Sequence, residues 1–355
     1  MIVAQNKTTT LYSYQNGIGA NTEAILNRTL RHILYGDLYS NGGGGNGGGG
    51  GNGGGGGNGG GGGNGGEIPS DEVHFTTLAG SADYVGTQGD QILLSNGTTV
   101  LITATGQTVT FNAPSGKHIV KLVESVGRNN YVSVGGEALV ELHNFPALST
   151  VTKFNFATYN YNPLPNLTKV PNFLPSNITN MAGMFSNASA FNQPLNNWNV
   201  SNVTGTWGMF RGASAFNQPL NNWNVSNVTN MGGMFNGATS FNQPLNNWNV
   251  SNVTDMSNMF VGASSFNQDL NNWNVSNVIH TWGMFNGASA FNQPLNNWNV
   301  SNVTNMSIMF YSASSFNQDL SMWCVSNIPT EPNQFAIEAS NWTLPRPVWG
   351  TCPAP

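Results

Sequence analysis

From residue 176 to 325, apolar and polar positions return on a cycle of 25 residues without slippage. Met-Phe pairs stand at 184/185, 209/210, 234/235, 259/260, 284/285 and 309/310. The block FNQPLNNWNVSNV is unchanged from Phe191, Phe216, Phe241 and Phe291, with variants from Phe266 and Phe316. A fixed period of this length marks a repeat architecture, in which each unit buries its apolar face only by stacking on its neighbours. Within a unit, Leu195, Trp198 and Val200 follow an L-x-x-L-x-L spacing, which predicts a short strand with inward side chains. Val203, Thr206, Met209 and Phe210 step by three and four, which predicts a helical or 3₁₀ turn. Asn187, Gly212, Gly237, Gly262, Gly287 and Ser312 follow that turn, where a left-handed residue ends it. Upstream, LTKVPNFLPSNITNM keeps the register imperfectly, aligning Val170 with Leu195, Phe173 with Trp198 and Ile178 with Val203; it reads as a terminal capping unit.

Before the repeats the pattern changes. Residues 67–150 read as a small β-rich domain, with strands expected at 73–78, 91–95, 98–104, 108–112, 118–123 and 131–134. Asn96-Gly97 is a hairpin turn signal. Residues 22–35 carry an apolar stripe at helical spacing (Ile25, Leu26, Leu30, Ile33, Leu34) that needs a partner, either residues 1–20 or a larger assembly. Residues 41–66 are only Gly and Asn, with Asn46, Asn52, Asn58 and Asn64 six apart. That tract is either a flexible linker of about 28 Å or a polyproline-II-like rod of roughly 80 Å with its asparagines along one edge. The expected fold class is mainly β with short helical turns. Its order is a 1–40 helical anchor or oligomerisation segment, a 41–66 Gly-rich stalk, the 67–150 β domain, and an LRR-like solenoid with caps over 151–355.

These 25-residue units resemble the BspA-type leucine-rich-repeat surface proteins, also known among mycoplasma surface lipoproteins. The resemblance covers about residues 165–325, and LPRPVWGTC from Leu344 to Cys352 echoes an ending seen in that family. It implies adhesion or interaction at a cell surface rather than catalysis. The chain as given begins MIVAQ, without the basic and long apolar regions of a secretory signal. The leading expectation is therefore a virion protein, a phage fibre or spike that leaves its cell at lysis. Alternatives are a bacterial cell-surface adhesin and a structural capsid decoration protein.

Composition narrows the chemistry. Charged residues are 7% of the chain, and ten Lys and Arg are scattered through it, which argues against nucleic acid. No run of apolar residues is long enough to span a bilayer. No paired carboxylates, Ser-His-Asp, Cys-His or HExxH arrangement stands out, so no enzyme and no cofactor or metal is expected; His74, His118 and His143 read as single core or surface histidines. Asp269 and Asp319 lie two units apart, roughly 10 Å, too far to share one metal.

The candidate ligand-binding residues form two sets. Asn197, Asn222, Asn247, Asn272 and Asn297 lie on an amide-rich strand face that either forms structural ladders or contacts sugar hydroxyls. Trp207, Arg211, Trp282 and Tyr311 break the consensus at positions filled elsewhere by small or varying residues, and Trp207 with Arg211 is a candidate cation–π pair. Cys324 and Cys352 are either a disulfide closing the last unit or two reduced thiols. The expected partners are a host surface glycan or protein, other virion proteins through residues 1–40, and further copies of the chain, a trimer first.

Overall fold

A computed structural model describes residues 72–122, 131–135, 139–145, 151–155 and 164–354. The readings of the 22–35 helix and the Gly tract lie outside them. Among the described residues there are nine strands and no helix: β1 (Glu72–Thr77), β2 (Gly80–Val85), β3 (Gln91–Leu93), β4 (Thr99–Leu101), β5 (Thr108–Ala113), β6 (Gly116–Lys121), β7 (Tyr131–Gly135), β8 (Leu139–Leu142) and β9 (Lys153–Asn155). They form two sheets, ordered β4-β3-β6-β1-β8 and β5-β2-β7-β9. The Asn96-Gly97 turn joins β3 to β4, with Gly97 at φ 83° and its N–H on Leu94 O. Three strands were not visible in the pattern. β2, GSADYV, lacks β-branched residues except at its end, and it is held by pairing with β5 on one side and β7 on the other. β8 and β9 are four and three residues long.

Both sheets run on into the repeats. β8 forms a parallel bridge from Glu141 to Lys169, and β9 one from Lys153 to Asn180. From Asn180 the second ladder continues through Gly205, Asn230, Asp255, His280 and Asn305, one parallel bridge per repeat. A single buried cluster extends from Val73 in β1 to Trp342 beyond the last repeat. The β-rich segment thus covers the open end of the repeat stack.

Each repeat is one coil of this stack. Leu195, Trp198 and Val200 are buried as their spacing requires, but they do not lie on a strand. Pro194 lacks an N–H, and Asn196-Asn197 forms a turn in which Trp198 N–H donates to Leu195 O at 3.0 Å. The interstrand bridge falls instead ten residues after Leu195, at Gly205 and its equivalents. The expected helical segment is likewise a run of turns. Met209, Arg211 and Ala213 donate to the carbonyl three residues back, whereas Gly208, Phe210 and Gly212 donate to Gly232, Met234 and Asn236 of the next coil at 2.6–2.8 Å. Alternate donors can leave the turn because two residues per coil are left-handed, Gly208 at φ 58° and Gly212 at φ 68°. The second series, Asn187 to Ser312, has positive φ throughout, as expected; the first, Gly183 to Ile308, does so too and is not foreshadowed by the repeat pattern.

Inside the coils equal residues lie over one another. Phe210, Phe235, Phe260 and Phe285 stack at 5.6–5.7 Å between centroids. Phe216, Phe241, Phe266 and Phe291 form a second column at 6.0 Å, and the columns touch at 4.1 Å. In the row from Trp198 to Trp323 each indole N–H reaches a carbonyl of the preceding coil, as Trp223 reaches Leu195 O at 3.1 Å. The first coil departs from the alignment: Phe173 is 51% exposed, and Leu174 is buried. Phe145, just beyond β8, supplies the missing aromatic ring, edge-on to Trp198 at 5.5 Å. At the other end Trp342 meets Phe310 and Phe316 edge-to-face, ending both columns. Cys324 and Cys352 are joined in a disulfide, and Val325 N–H donates to Thr351 O, folding the tail onto the last coil.

Two predictions follow from local conflicts. Ile308 is β-branched at φ 51°, a position held by Gly or Asn in the five preceding coils, and such a residue is strained in the left-handed region. Ile308→Gly should stabilise the protein by about 1 kcal/mol in denaturant unfolding, despite the entropy cost of glycine. His118 is fully buried, with Nδ1 accepting from Ser95 N–H at 2.9 Å and Nε2 at 2.7 Å from Thr77 Oγ1. Burial pushes its pKa down from 6.5 to about 4, partly opposed by the contact with the Pro114 backbone. Below pH 6.5 the unfolded chain takes up a proton that the folded chain refuses. Stability is therefore complete above that pH and is lost as pH falls toward the folded value, by roughly 2 kcal/mol at pH 5. His118→Gln should flatten the pH dependence of unfolding between pH 7 and 5.

Candidate functional site

The exterior of the stack is built from rows of equal polar residues, and the hydrogen bonds divide them by task. In the first row Asn192, Asn217, Asn242, Asn267 and Asn292 each turn Oδ1 to the next coil. There it accepts the backbone N–H of the following asparagine at 2.8–3.0 Å and the amide of the adjacent glutamine at 2.8–3.0 Å. This row is a clamp between coils. A second row, from Asn199 to Asn299, accepts the N–H of the serine two residues on, as Asn199 does from Ser201 at 3.1 Å. These are Asx turns. Asp269 and Asp319 do the same for Asn271 and Ser321, in the place of proline. Their carboxylates are turn caps, and the hydrogen bonds from Ser321 lower the Asp319 pKa.

The candidate asparagines 197, 222, 247, 272 and 297 are all exposed. They sit on a ridge of turn tips rather than on a strand face. Their neighbours Asn221, Asn246, Asn271 and Asn296 make contacts along this ridge, with Asn221 Nδ2 on Asn246 Oδ1 at 3.3 Å and Asn271 Nδ2 on Asn296 Oδ1 at 3.2 Å. Asn247 and Asn297 accept from Asn246 and Asn296. The side chains of Asn222 and Asn272 make no hydrogen bond among the described residues. Met322, 61% exposed, ends the row.

Trp207 and Trp282 are 39% and 40% exposed and share one row, three coils apart, with Gly232 and Ser257 between them. The Trp207 indole lies over Gly232, where an added Cβ would come within 3.0 Å of its Cδ1. Arg211 and Tyr311 are half-buried in a different row, four coils apart. Trp207 and Arg211 flank the same left-handed turn, but the four residues do not form one patch. His74 and His118 belong to the interior of the β-rich segment, whereas His143 is half-buried. His74 is paired through Nε2 with Glu72 at 2.7 Å, an acidic partner two residues away that was not anticipated, and Lys121 adds a second contact to Glu72 at 2.9 Å.

One further surface feature lies outside both sets of candidate residues. The triplets Asn252-Val253-Thr254, Asn277-Val278-Ile279 and Asn302-Val303-Thr304 bury each valine and expose the residues on both sides of it. On three successive coils these exposed residues line a shallow groove of about 500 Å³. The recurring N-V-T string was the signal available in the sequence. Each asparagine is held by Nδ2 on a serine carbonyl of the preceding coil at 2.7 Å. The threonine hydroxyls are held likewise, Thr254 on Thr229 O at 3.2 Å and Thr304 on Ile279 O at 3.3 Å. Among the described residues no group of three or more His, Cys, Asp or Glu is placed to hold a metal, and no helix is long and apolar enough to cross a membrane.

Fold and surface together define a repeat protein whose coils are tied to one another by backbone and side-chain amide ladders. More specifically, residues 152–260 and 244–343 each match the family described as "Mycoplasma protein of unknown function, DUF285". The two matches together span more than half of the chain, which belongs to this family. They fall on the units that resemble BspA-type repeats and agree with that resemblance. No curated protein and no solved structure matches the chain.

The division of labour among asparagines can be measured. Asn242→Ala strands two donors, Asn267 N–H and the Gln268 amide, and should lower stability by about 1 kcal/mol. Asn272→Ala removes no hydrogen bond and should leave the denaturant midpoint unchanged.

Proposed function

We propose that the chain is a non-enzymatic adhesion protein that presents its repeats, as an LRR-like solenoid, to a glycan or protein on a cell surface. Support comes from the character of the exterior: preorganised neutral amides and hydroxyls, with Arg211, Asp255, Asp269 and Asp319 the charged residues from 176 to 325. Such a surface has little with which to polarise a bond and much with which to make many weak contacts. The segment order, with a Gly-rich tract before the β-rich segment and the stack, suits display at a distance from an anchor. On this reading the protein is a fibre or spike subunit of a virion, assembled as an oligomer through residues 1–40. A cell-surface adhesin would use the same stack in the same way.

The fluorescently labelled full-length chain should bind saturably to intact cells of at least one species in a bacterial panel, and excess unlabelled chain should displace it. Absence of displaceable binding throughout the panel overturns the adhesion reading. Release of reducing sugar from the bound cells overturns its non-enzymatic part.

A further inference from the structure

We infer that the groove over Asn252, Thr254, Asn277, Ile279, Asn302 and Thr304 is a binding site for a linear, uncharged polysaccharide lying along the stack, one sugar facing each coil. The inference rests on the adhesion reading and names the ligand class and the site.

Four observations carry it. First, the six lining residues are all neutral, so none of them supplies a cation to pair with a sulfate, phosphate or uronic acid. The nearest carboxylate in sequence, Asp255, is engaged by Ser257 N–H through Oδ1 and by Asn230 Nδ2 through Oδ2. Second, its polar groups are fixed before any ligand arrives, because the asparagine amides and threonine hydroxyls are bonded to the preceding coil. Each asparagine is exposed, and its one side-chain hydrogen bond among the described residues leaves Oδ1 as an acceptor and one amide hydrogen as a donor, which is what a sugar hydroxyl pair requires. Fixed groups avoid much of the side-chain ordering cost of binding.

Third, the lining repeats once per coil, at the spacing of adjacent strands, about 4.8 Å. A polymer of identical units can satisfy such a row, whereas a folded protein surface seldom repeats itself at that interval. Fourth, Ile279 replaces threonine in the central coil and is 41% exposed. An apolar side chain flanked by hydroxyls and amides matches the C–H face of a pyranose ring. The Trp207 and Trp282 row offers exposed aromatics only three coils apart, with Gly232 and Ser257 between them.

The test uses the full-length chain and calorimetric titration with short linear oligosaccharides of glucose, N-acetylglucosamine and mannose, with oligogalacturonate as the charged control. At least one neutral series should bind, with affinity rising with chain length until three coils are covered, and the charged control should not. Ile279→Arg removes no hydrogen bond and places a long charged side chain in the groove. It should weaken binding at least about tenfold with an unchanged thermal midpoint. Asn277→Ala should weaken binding too, and Ile279→Thr, which restores the consensus, keeps the protein folded as a second check. If cells are still bound but no neutral oligosaccharide binds or competes, and Ile279→Arg binds cells normally, the groove proposal fails while the adhesion reading stands. Loss of cell binding on Trp207→Ala with Trp282→Ala, and not on Ile279→Arg, assigns recognition to the tryptophan row and overturns the inference. If the wild-type chain binds no cell at all, the adhesion reading itself has failed.

Discussion

In-register stacking is the constraint on which the rest of this structure depends. A residue and its equivalent 25 positions later are vertical neighbours, so every side chain must tolerate its own kind roughly one strand spacing away. Two like charges at that distance repel by about 1 kcal/mol in water and several near a protein surface, and each further coil would add another such pair. Asparagine, threonine and serine carry both donors and acceptors and can bond to copies of themselves. Phenylalanine and tryptophan rings stack with a small offset. The composition follows: 34 asparagines and four charged residues from 176 to 325. Asp269 and Asp319 share a row but are separated by Pro294, and Asp255 lies between Asn230 and His280. No two like charges are stacked directly.

The same constraint explains the two ends. A stack has one open ladder at each terminus, and an open ladder recruits other chains. At the N-terminal end β8 bridges the first unit and β9 extends the ladder between coils, which joins the stack to both sheets, and Phe145 fills the ring position left by the outward Phe173. At the C-terminal end rings turn from parallel to perpendicular at Trp342, and the disulfide and the Val325–Thr351 bond hold the tail over the last coil. The ends differ because different neighbours were available, but both replace a repeating contact with one that cannot repeat.

How much was legible in the sequence follows from the range of each interaction. Burial was readable, because a side chain that recurs every 25 residues in an apolar column must face its copies; Leu195, Trp198, Val200, Met209 and Phe210 are all inward. Backbone conformation was less so. Inward side chains at 195, 198 and 200 suit a strand or a turn equally, and Pro194 with the Asn196-Asn197 turn decides for the turn. The left-handed series from Gly183 to Ile308 is hard to read because Asn258 and Ile308 interrupt its glycines. β2, β8 and β9 are short or poor in β-formers and exist through partners distant in sequence. For the surface, the asparagines on the turn ridge were singled out, whereas the groove depends on which atoms remain free after coil-to-coil bonding, and repetition alone does not reveal that.

A surface of identical rungs poses a problem of its own. Contacts that repeat along a row add up for a repetitive ligand, since each sugar bound raises the effective concentration of the next. Yet identical rungs define no register, so a polymer could slide from coil to coil at little cost. The sequence breaks the degeneracy in the fourth and fifth of the six units: Ile279 stands among threonines, and His280 and Asp255 replace the asparagine of their row. A ligand that prefers the apolar contact at Ile279 is held over the coils that flank it, whose Thr254 and Thr304 line the groove beside it. Repetition thus supplies the number of contacts, and the exceptions to it supply the position.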